Sequence, residues 1–439
     1  MSASTSLRAV FMAGPALPLI SFLARLPAAI CPIGTLLMLT ELNGIGRAGI
    51  VAGLLWAGQA VGGPFLGRFA DRHGHRPVIL GASLANAAAI AALVGAVLAD
   101  LPVPAEAALA AVVGLTVPQV GPLSRTRWIA IVEARGTQDQ PAAARERNRE
   151  LTGRVLSFDT TIDEIGFMAG PALAGLAVLL IHPVAAMVLA GALIAVFGAL
   201  FAVHPTAPRG TGAKAASGVR VLTPALGVLF AMALLQGTIW GSANAGVSAL
   251  AEHLGDAGMA GFIWGAMAVT SSLAGLATTM RTAKRDLTVR LRLAIVGQLI
   301  LLVPLLAVDS FLGAAAAVAG IGLAVAPHLI AVFGLAERVA PSERMGEAMA
   351  LLGSGLIAGQ GIAALAAGQL AQHSGYPAAF ILTCASGTAA ALTALTLVRP
   401  TTFASAPAAS ATAVEVTGPA TDSRTGSSSG QAGRRRAAG

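Results

Sequence analysis

The chain has 439 residues and a formal charge of +8; 56% of its residues are hydrophobic and only 11% are charged, with a mean hydropathy of +0.77. A soluble domain carries about a quarter charged residues, so an ordinary soluble fold is excluded and an all-α polytopic membrane protein is expected. The positive charge does not point to nucleic acid. Its arginines and lysines fall in short connections between apolar runs and in the tails, where they set topology and meet anionic headgroups.

Twelve apolar runs are long enough to cross a bilayer. They fall at about 17–39, 47–69, 78–98, 106–124, 156–180, 184–203, 222–244, 259–279, 291–308, 311–335, 347–370 and 377–397. The first lacks a convincing cleavage site ahead of it and reads as an uncleaved helix. It contains Pro27 and Pro32, which kink a membrane helix without forbidding it. Cys31 and Cys384 both lie inside apolar runs, so no disulfide framework is implied. Basic residues crowd the even-numbered connections: Arg68, Arg72 and Arg76; Arg125 through Arg154; Arg209, Lys214 and Arg220; Arg281 through Arg292; Arg338 and Arg344. The alternate connections carry acids such as Asp100, Glu252 and Asp256, with Arg47 the clear exception. Both termini are therefore expected in the cytoplasm. Arginine outnumbers lysine and alanine is abundant, a composition that fits a GC-rich bacterium and hence its inner membrane.

The expected organisation is a short N-terminus (1–16), a six-helix bundle (17–204), a linker (205–221), a second six-helix bundle (222–398) and a disordered tail (399–439). A shift of about 193 residues lays Gly166 over Gly359 and Gly175 over Gly368, matching the fifth span to the eleventh.

The connection after the second span packs an acid, three arginines, two histidines and two glycines into Gly67-Arg-Phe-Ala-Asp71-Arg72-His-Gly74-His-Arg76. Gly74 lets the chain reverse tightly. Asp71 can accept from a helix end or an arginine, and Arg72 and Arg76 can clamp carboxylates or lipid phosphates. A loop that only set topology would need arginine alone. The spacing Gly-x-x-x-Asp-Arg-x-Gly-x-Arg resembles the loop motif between the second and third spans of the major facilitator superfamily. That resemblance implies two six-helix bundles rocking about a central cavity, with Asp71 and its arginines as a latch. Gly166-Phe-Met-Ala-Gly170-Pro171-Ala-Leu-Ala-Gly175 in the fifth span is in turn similar to the antiporter motif of the drug:proton exporters of that superfamily, though only part of its glycine pattern is present. Packing against a neighbouring helix would also account for these glycines.

Ionisable residues inside spans are costly and mark function by default. The fifth span holds three: Asp159 and Asp163, which share a helix face, and Glu164, about 13 Å deep from an edge near residue 155. All are candidates for proton coupling; Asp159 is equally open to a surface pairing with Arg154 or a loop arginine. The exporters usually carry an arginine within the fourth span. Here Gly114-Leu-Thr-Val-Pro118-Gln119-Val-Gly121-Pro122 has none before Arg125. Arg25 in the first span is the available substitute, or else it snorkels to the interface. The resemblance assigns the cavity walls to the first, fourth, seventh and tenth spans. In the seventh, Gln236, Trp240 and Asn244 lie on one stripe. Gln119 and His328 are further wall candidates, His328 being as well explained by packing. Glu347 reads as a surface pair with Arg344 or a helix N-terminal charge.

No phosphate loop, metal constellation or nucleophile–base arrangement stands out, so no cofactor, metal or enzymatic activity is expected. The sequence reads as a monomeric, proton-driven exporter of a small amphipathic compound, with the solute, protons and lipid as partners. A proton-coupled uptake system, or a non-transporting receptor on the same scaffold, are the alternatives.

Overall fold

The computed structural model describes residues 16–118, 120–133, 142–207, 223–280, 286–340, 345–399 and 403; the side chains of Asp71, Arg154 and Glu164 lie outside that description, as do Gln119, Arg344, most of the expected linker and nearly all of the expected tail. All regular structure among the described residues is helical. The first half comprises α1 (Ala16–Asn43), α2 (Ile45–His73), α3 (His75–Leu98), α4 (Val103–Thr116), α5 (Val120–Glu133), α6 (Ala142–Leu180), α7 (Ala185–Leu193) and α8 (Ala199–Val203). A π-helical turn, Ile194–Gly198, joins the last two. The second half comprises α9 (Pro224–His253), α10 (Met259–Met280), α11 (Leu287–Leu302), α12 (Phe311–Val339), α13 (Met345–Ser374) and α14 (Tyr376–Leu397).

Eleven spans among the described residues are long and apolar enough to cross a membrane. The fifth expected span lies within α6, which adds a shorter apolar stretch, Ala169–Leu180, beyond its aspartates. This is a multi-pass membrane protein. The fourth span departs from the unbroken run expected at 106–124. Pro118 disfavours helical geometry at the residue before it, and Val117 is extended there (ψ 114°). The chain restarts as α5, so Ser124 and Arg125 sit on a new helix rather than at the end of the old one.

Gly74 is the whole of the connection between α2 and α3. Its φ of 92° is open to glycine and strained for other residues, and its N–H donates to the Ala70 carbonyl at 2.8 Å. The hairpin anticipated at this position is therefore present. Arg72 and Arg76 are exposed beside it, and a Cβ at Gly67 would meet nothing within 4 Å.

Each half packs mainly on itself, and the halves meet chiefly where α2 faces α13 and α6 faces α10. Burial of apolar surface drives little association between helices in lipid, so close backbone approach has to. The seams are accordingly built on glycine. Gly49 faces Gly368, and a Cβ added at Gly49 would lie 2.8 Å from the Ala364 carbonyl oxygen. Gly53 faces Gly361, while Gly175 and Pro171 of α6 face Gly258 and Gly261. Two glutamines of α13 clasp the start of α2: Gln372 Oε1 accepts from the Gly46 N–H (3.1 Å), and Gln369 Nε2 donates to the Gly46 carbonyl (2.7 Å). The internal repeat is thus half legible in the packing. Gly175 and Gly368 each sit in a seam, but a Cβ added at Gly166 would meet nothing within 4 Å whereas Gly359 lies against α9.

These contacts fall toward one end of the molecule, here termed the acidic end because Asp100, Glu252 and Asp256 lie there. Arg47, the apparent exception to the charge bias, is neutralised at that end. It pairs with the fully buried Glu106 (2.8 Å) and with Asp100 (2.9 Å). At the opposite, basic end, Arg68 of α2 reaches Glu347 of α13 at 3.3 Å, with both side chains exposed. Glu347 lies in the first turn of α13, one of the two placements anticipated for it, and reaches across the halves to Arg68; Arg344, the other anticipated partner, lies outside the described residues.

Candidate functional site

Two helices of the first half, α1 and α5, converge on α6 at Asp159 and Asp163. Asp159 and Asp163 share a face, as an i, i+4 pair must. Arg25 of α1 lies between them. Its Nη2 pairs with Asp159 Oδ1, and its Nη1 donates to Asp163 Oδ1 at 2.8 Å and to the Asp159 carbonyl at 3.0 Å. Arg125 of α5 closes the other side, with Nη2 2.5 Å from Asp163 Oδ2 and Nε 3.6 Å from Asp159 Oδ2. Ser124 donates to Asp159 Oδ1 at 2.7 Å, and Ser21 donates to Ser124 at 3.2 Å. Gly121 allows the approach, since a Cβ there would lie 3.1 Å from Asp163 Oδ1.

Burial grades across this network. The Asp159 side chain is wholly buried and that of Arg25 is 5% exposed, whereas Asp163 is 16% and Arg125 44% exposed. An apolar cluster of Leu17, Leu123, Trp128, Val132 and Val155 covers the basic-end side. Desolvation strengthens each pairing and raises the cost of leaving any member alone. Asp159 is therefore buried rather than at a surface, with Arg25 and Arg125 as partners among the described residues, and Arg25 does not snorkel; the Arg154 side chain lies outside the described residues. Arg125, which the sequence placed at the cytoplasmic end, is a member because of the break at Pro118. The two serines carried no readable signal, since a buried hydroxyl looks like any other small residue in a Gly-rich and Ala-rich chain.

Arg127 was also missed. It is fully buried, donates to the Phe201 carbonyl at 2.7 Å and holds its guanidinium 3.7 Å from the Phe201 ring centroid. It thus caps the C-terminus of α8 and ties the fourth span to the sixth.

The expected fifth-span motif divides in the structure. Gly170 is against Ala29 of α1, and Pro171 and Gly175 line the seam with α10. In the second half, Gln236 and His328 are both fully buried, and Gln236 Oε1 lies 2.6 Å from His328 Nδ1. Accepting there fixes the Nδ1–H tautomer and leaves His328 Nε2 without a partner. Gln236 Nε2, Trp240 Nε1 and Asn244 Oδ1, along the same stripe of α9, are likewise buried without hydrogen-bond partners. This is a buried polar stripe, and it is uncharged. Gln236→Leu should strand the buried imidazole at a cost of about 1–3 kcal/mol. A fall in unfolding temperature, largely recovered by adding His328→Leu, is the expected reading.

Several solved structures share this helical arrangement at low sequence identity. A bacterial homologue of the iron transporter ferroportin, in an inward-facing state, is 18% identical with a TM-score of 0.63, covering 90% of this chain and 99% of that one. The nucleoside transporter NupG is 14% identical with a TM-score of 0.64, covering 86% and 98%. The xylose transporter XylE from E. coli is 13% identical with a TM-score of 0.62, covering 88% and 96%. Residues 229–428 match the family model described as Major Facilitator Superfamily. The chain has the major facilitator fold. No curated protein sequence matches it. Within the major facilitator fold, the arginine–aspartate network lies in the first half, and the uncharged Gln236–His328 pair in the second.

Proposed function

We propose that the chain is a proton-driven secondary transporter that carries a small solute across a bacterial inner membrane by alternating access. The observation that carries this reading is the pairing of Arg25 and Arg125 with Asp159 and Asp163 inside the apolar first half. A scaffold that only packed helices would be as stable with apolar residues there, because buried ion pairs rarely repay their desolvation. Asp163 is the exchangeable acid in this reading: it lies at the edge of the network, whereas Asp159 is sealed. The glycine seams support rocking of the halves, since smooth backbone surfaces can part and re-form. The basic end faces the cytoplasm with both termini, following the arginine bias, and the protein works as a monomer. Asp71, Arg72 and Arg76 latch the cytoplasmic side when the acidic end opens.

Export in exchange for protons is favoured by the likeness of Gly170, Pro171 and Gly175 to the antiporter pattern. A specific observation favours a second reading, co-transport of proton and solute: both aspartates are already paired with arginines and offer a cationic drug no free charge. Proteoliposomes with an imposed pH gradient and a lumenal pH dye separate the two. Solute-induced proton counterflow that is lost in Asp163→Asn establishes exchange, and co-directional flux lost in the same variant establishes co-transport. Solute flux that ignores both the gradient and the substitution would remove proton coupling.

A further inference from the structure

We infer that the solute taken at this network is an organic anion, received by Arg125 when Asp163 is protonated, so that proton and anion bind together. The inference rests on the reading of the network as the coupling site. Among the described residues, the charged groups facing Asp163 are Arg25 from α1, Arg125 from α5 and Asp159 from its own helix. Within this set two guanidinium groups and two carboxylates cancel. While all four are ionised each satisfies another, and neither aspartate is free for a cation.

A proton on Asp163 leaves one positive charge in excess, and the geometry decides where it falls. Arg25 is buried and keeps both the carboxylate and the main-chain carbonyl of Asp159. Arg125 loses its 2.5 Å partner and retains only Asp159 Oδ2, at 3.6 Å. It is also the most exposed member of the four. The excess charge therefore falls on the most exposed arginine of the set, from which side we place the solute's approach. Two further atoms leave the set incomplete: Asp159 Oδ2 and Arg25 Nε are buried without hydrogen-bond partners. Arg125 Nε can close on Asp159 Oδ2, which leaves the terminal fork of the guanidinium for two oxygens of a carboxylate, sulfonate or phosphate group. Binding linkage is reciprocal, so the anion raises the proton affinity of Asp163 by the factor by which the proton raises the anion's affinity. An inward proton gradient then draws the anion in the same direction.

The test uses purified full-length protein and benzenesulfonate, which stays anionic throughout, so any pH dependence belongs to the protein. Benzyltrimethylammonium supplies a cation on the same ring. Benzenesulfonate should bind at least about tenfold more tightly near pH 5.5 than near pH 8, within the range of ordinary coupling. Asp163→Asn should hold the tighter affinity at both pH values, and Arg125→Gln should lose it at both. Thermal unfolding of each variant checks that it is folded. Binding that ignores pH, survives Arg125→Gln, or is absent from folded Asp163→Asn would overturn the inference, as would tighter binding of the cation at high pH. Proton-coupled flux of another solute would leave the transport reading standing in that event. Conversely, pH-linked benzenesulfonate binding with no flux into proteoliposomes would keep the inference and remove transport.

Discussion

Arg25→Gln is expected to abolish proton-coupled flux and to cost the folded state about 3–5 kcal/mol, the usual penalty for removing one partner of a buried ion pair. Among the described residues, Arg25 is the buried group that bridges Asp159 and Asp163 through charge-assisted bonds, Arg125 doing so from the exposed side. Without it, Asp159 keeps the Ser124 hydroxyl and a guanidinium nitrogen at 3.6 Å, too little to hold an ionised carboxylate in an apolar surround. The carboxylate must then take a proton or draw water in, and either outcome uncouples Asp163 from its neighbour. The double variant Arg25→Gln/Asp159→Asn separates stability from coupling. Removing both charges should recover most of the lost stability, because paired deletion leaves no orphan. It should not recover proton-coupled flux, since Arg125 and Asp163 alone lose the graded burial that makes one acid exchangeable and the other fixed. Recovery of flux in the double variant would show that the buried half of the network is structural. Thermal unfolding and proteoliposome flux, measured on the same preparations, give both readings.

How much of this was legible in sequence differed with the range of the signal. Span positions followed from local hydropathy, and the α2–α3 hairpin from one glycine whose backbone demand is local. Asp159 and Asp163 stood out because carboxylates inside an apolar run are rare whatever they touch. Their partners are separated from them by 134 and 138 residues in the case of Arg25, and nothing in the chain near position 25 tells a paired arginine from a snorkelling one. Arg125 was misplaced for a different reason. An unbroken fourth span would carry it to the membrane surface, and only the extended Val117 before Pro118 redirects it onto α6. His328 appeared isolated because its partner, Gln236, is on another helix. The glycine seams were the least legible feature, since 52 glycines in one chain make any pair of them a coincidence until the helices are set side by side.

The seams make the second large prediction. Gly49→Val should shift the molecule toward a form open at the acidic end and so strongly reduce transport. A Cβ at this position would lie 2.8 Å from a carbonyl oxygen and 2.9 Å from the Gly368 Cα, both backbone atoms that no rotamer change can clear. The helices must separate, and overpacking of this kind costs about 1–3 kcal/mol. If that cost falls only on the sealed form, it alters the balance between forms by roughly 5–150-fold. Gly81→Val is the matched control, because a Cβ there meets nothing within 4 Å. Spin labels at Ala105→Cys and Asp309→Cys, with Cys31 and Cys384 replaced by serine, report the acidic end; labels at His73→Cys and Glu337→Cys report the basic end. All four positions are exposed. In Gly49→Val the acidic-end distance should widen while the basic-end distance shortens, since halves that rock as bodies cannot open one end without closing the other. Widening at the acidic end alone would mean that the substitution merely loosens α2 from α13. The seam would then be a packing surface, and the rocking assigned to it would have to be carried by α6 and α10.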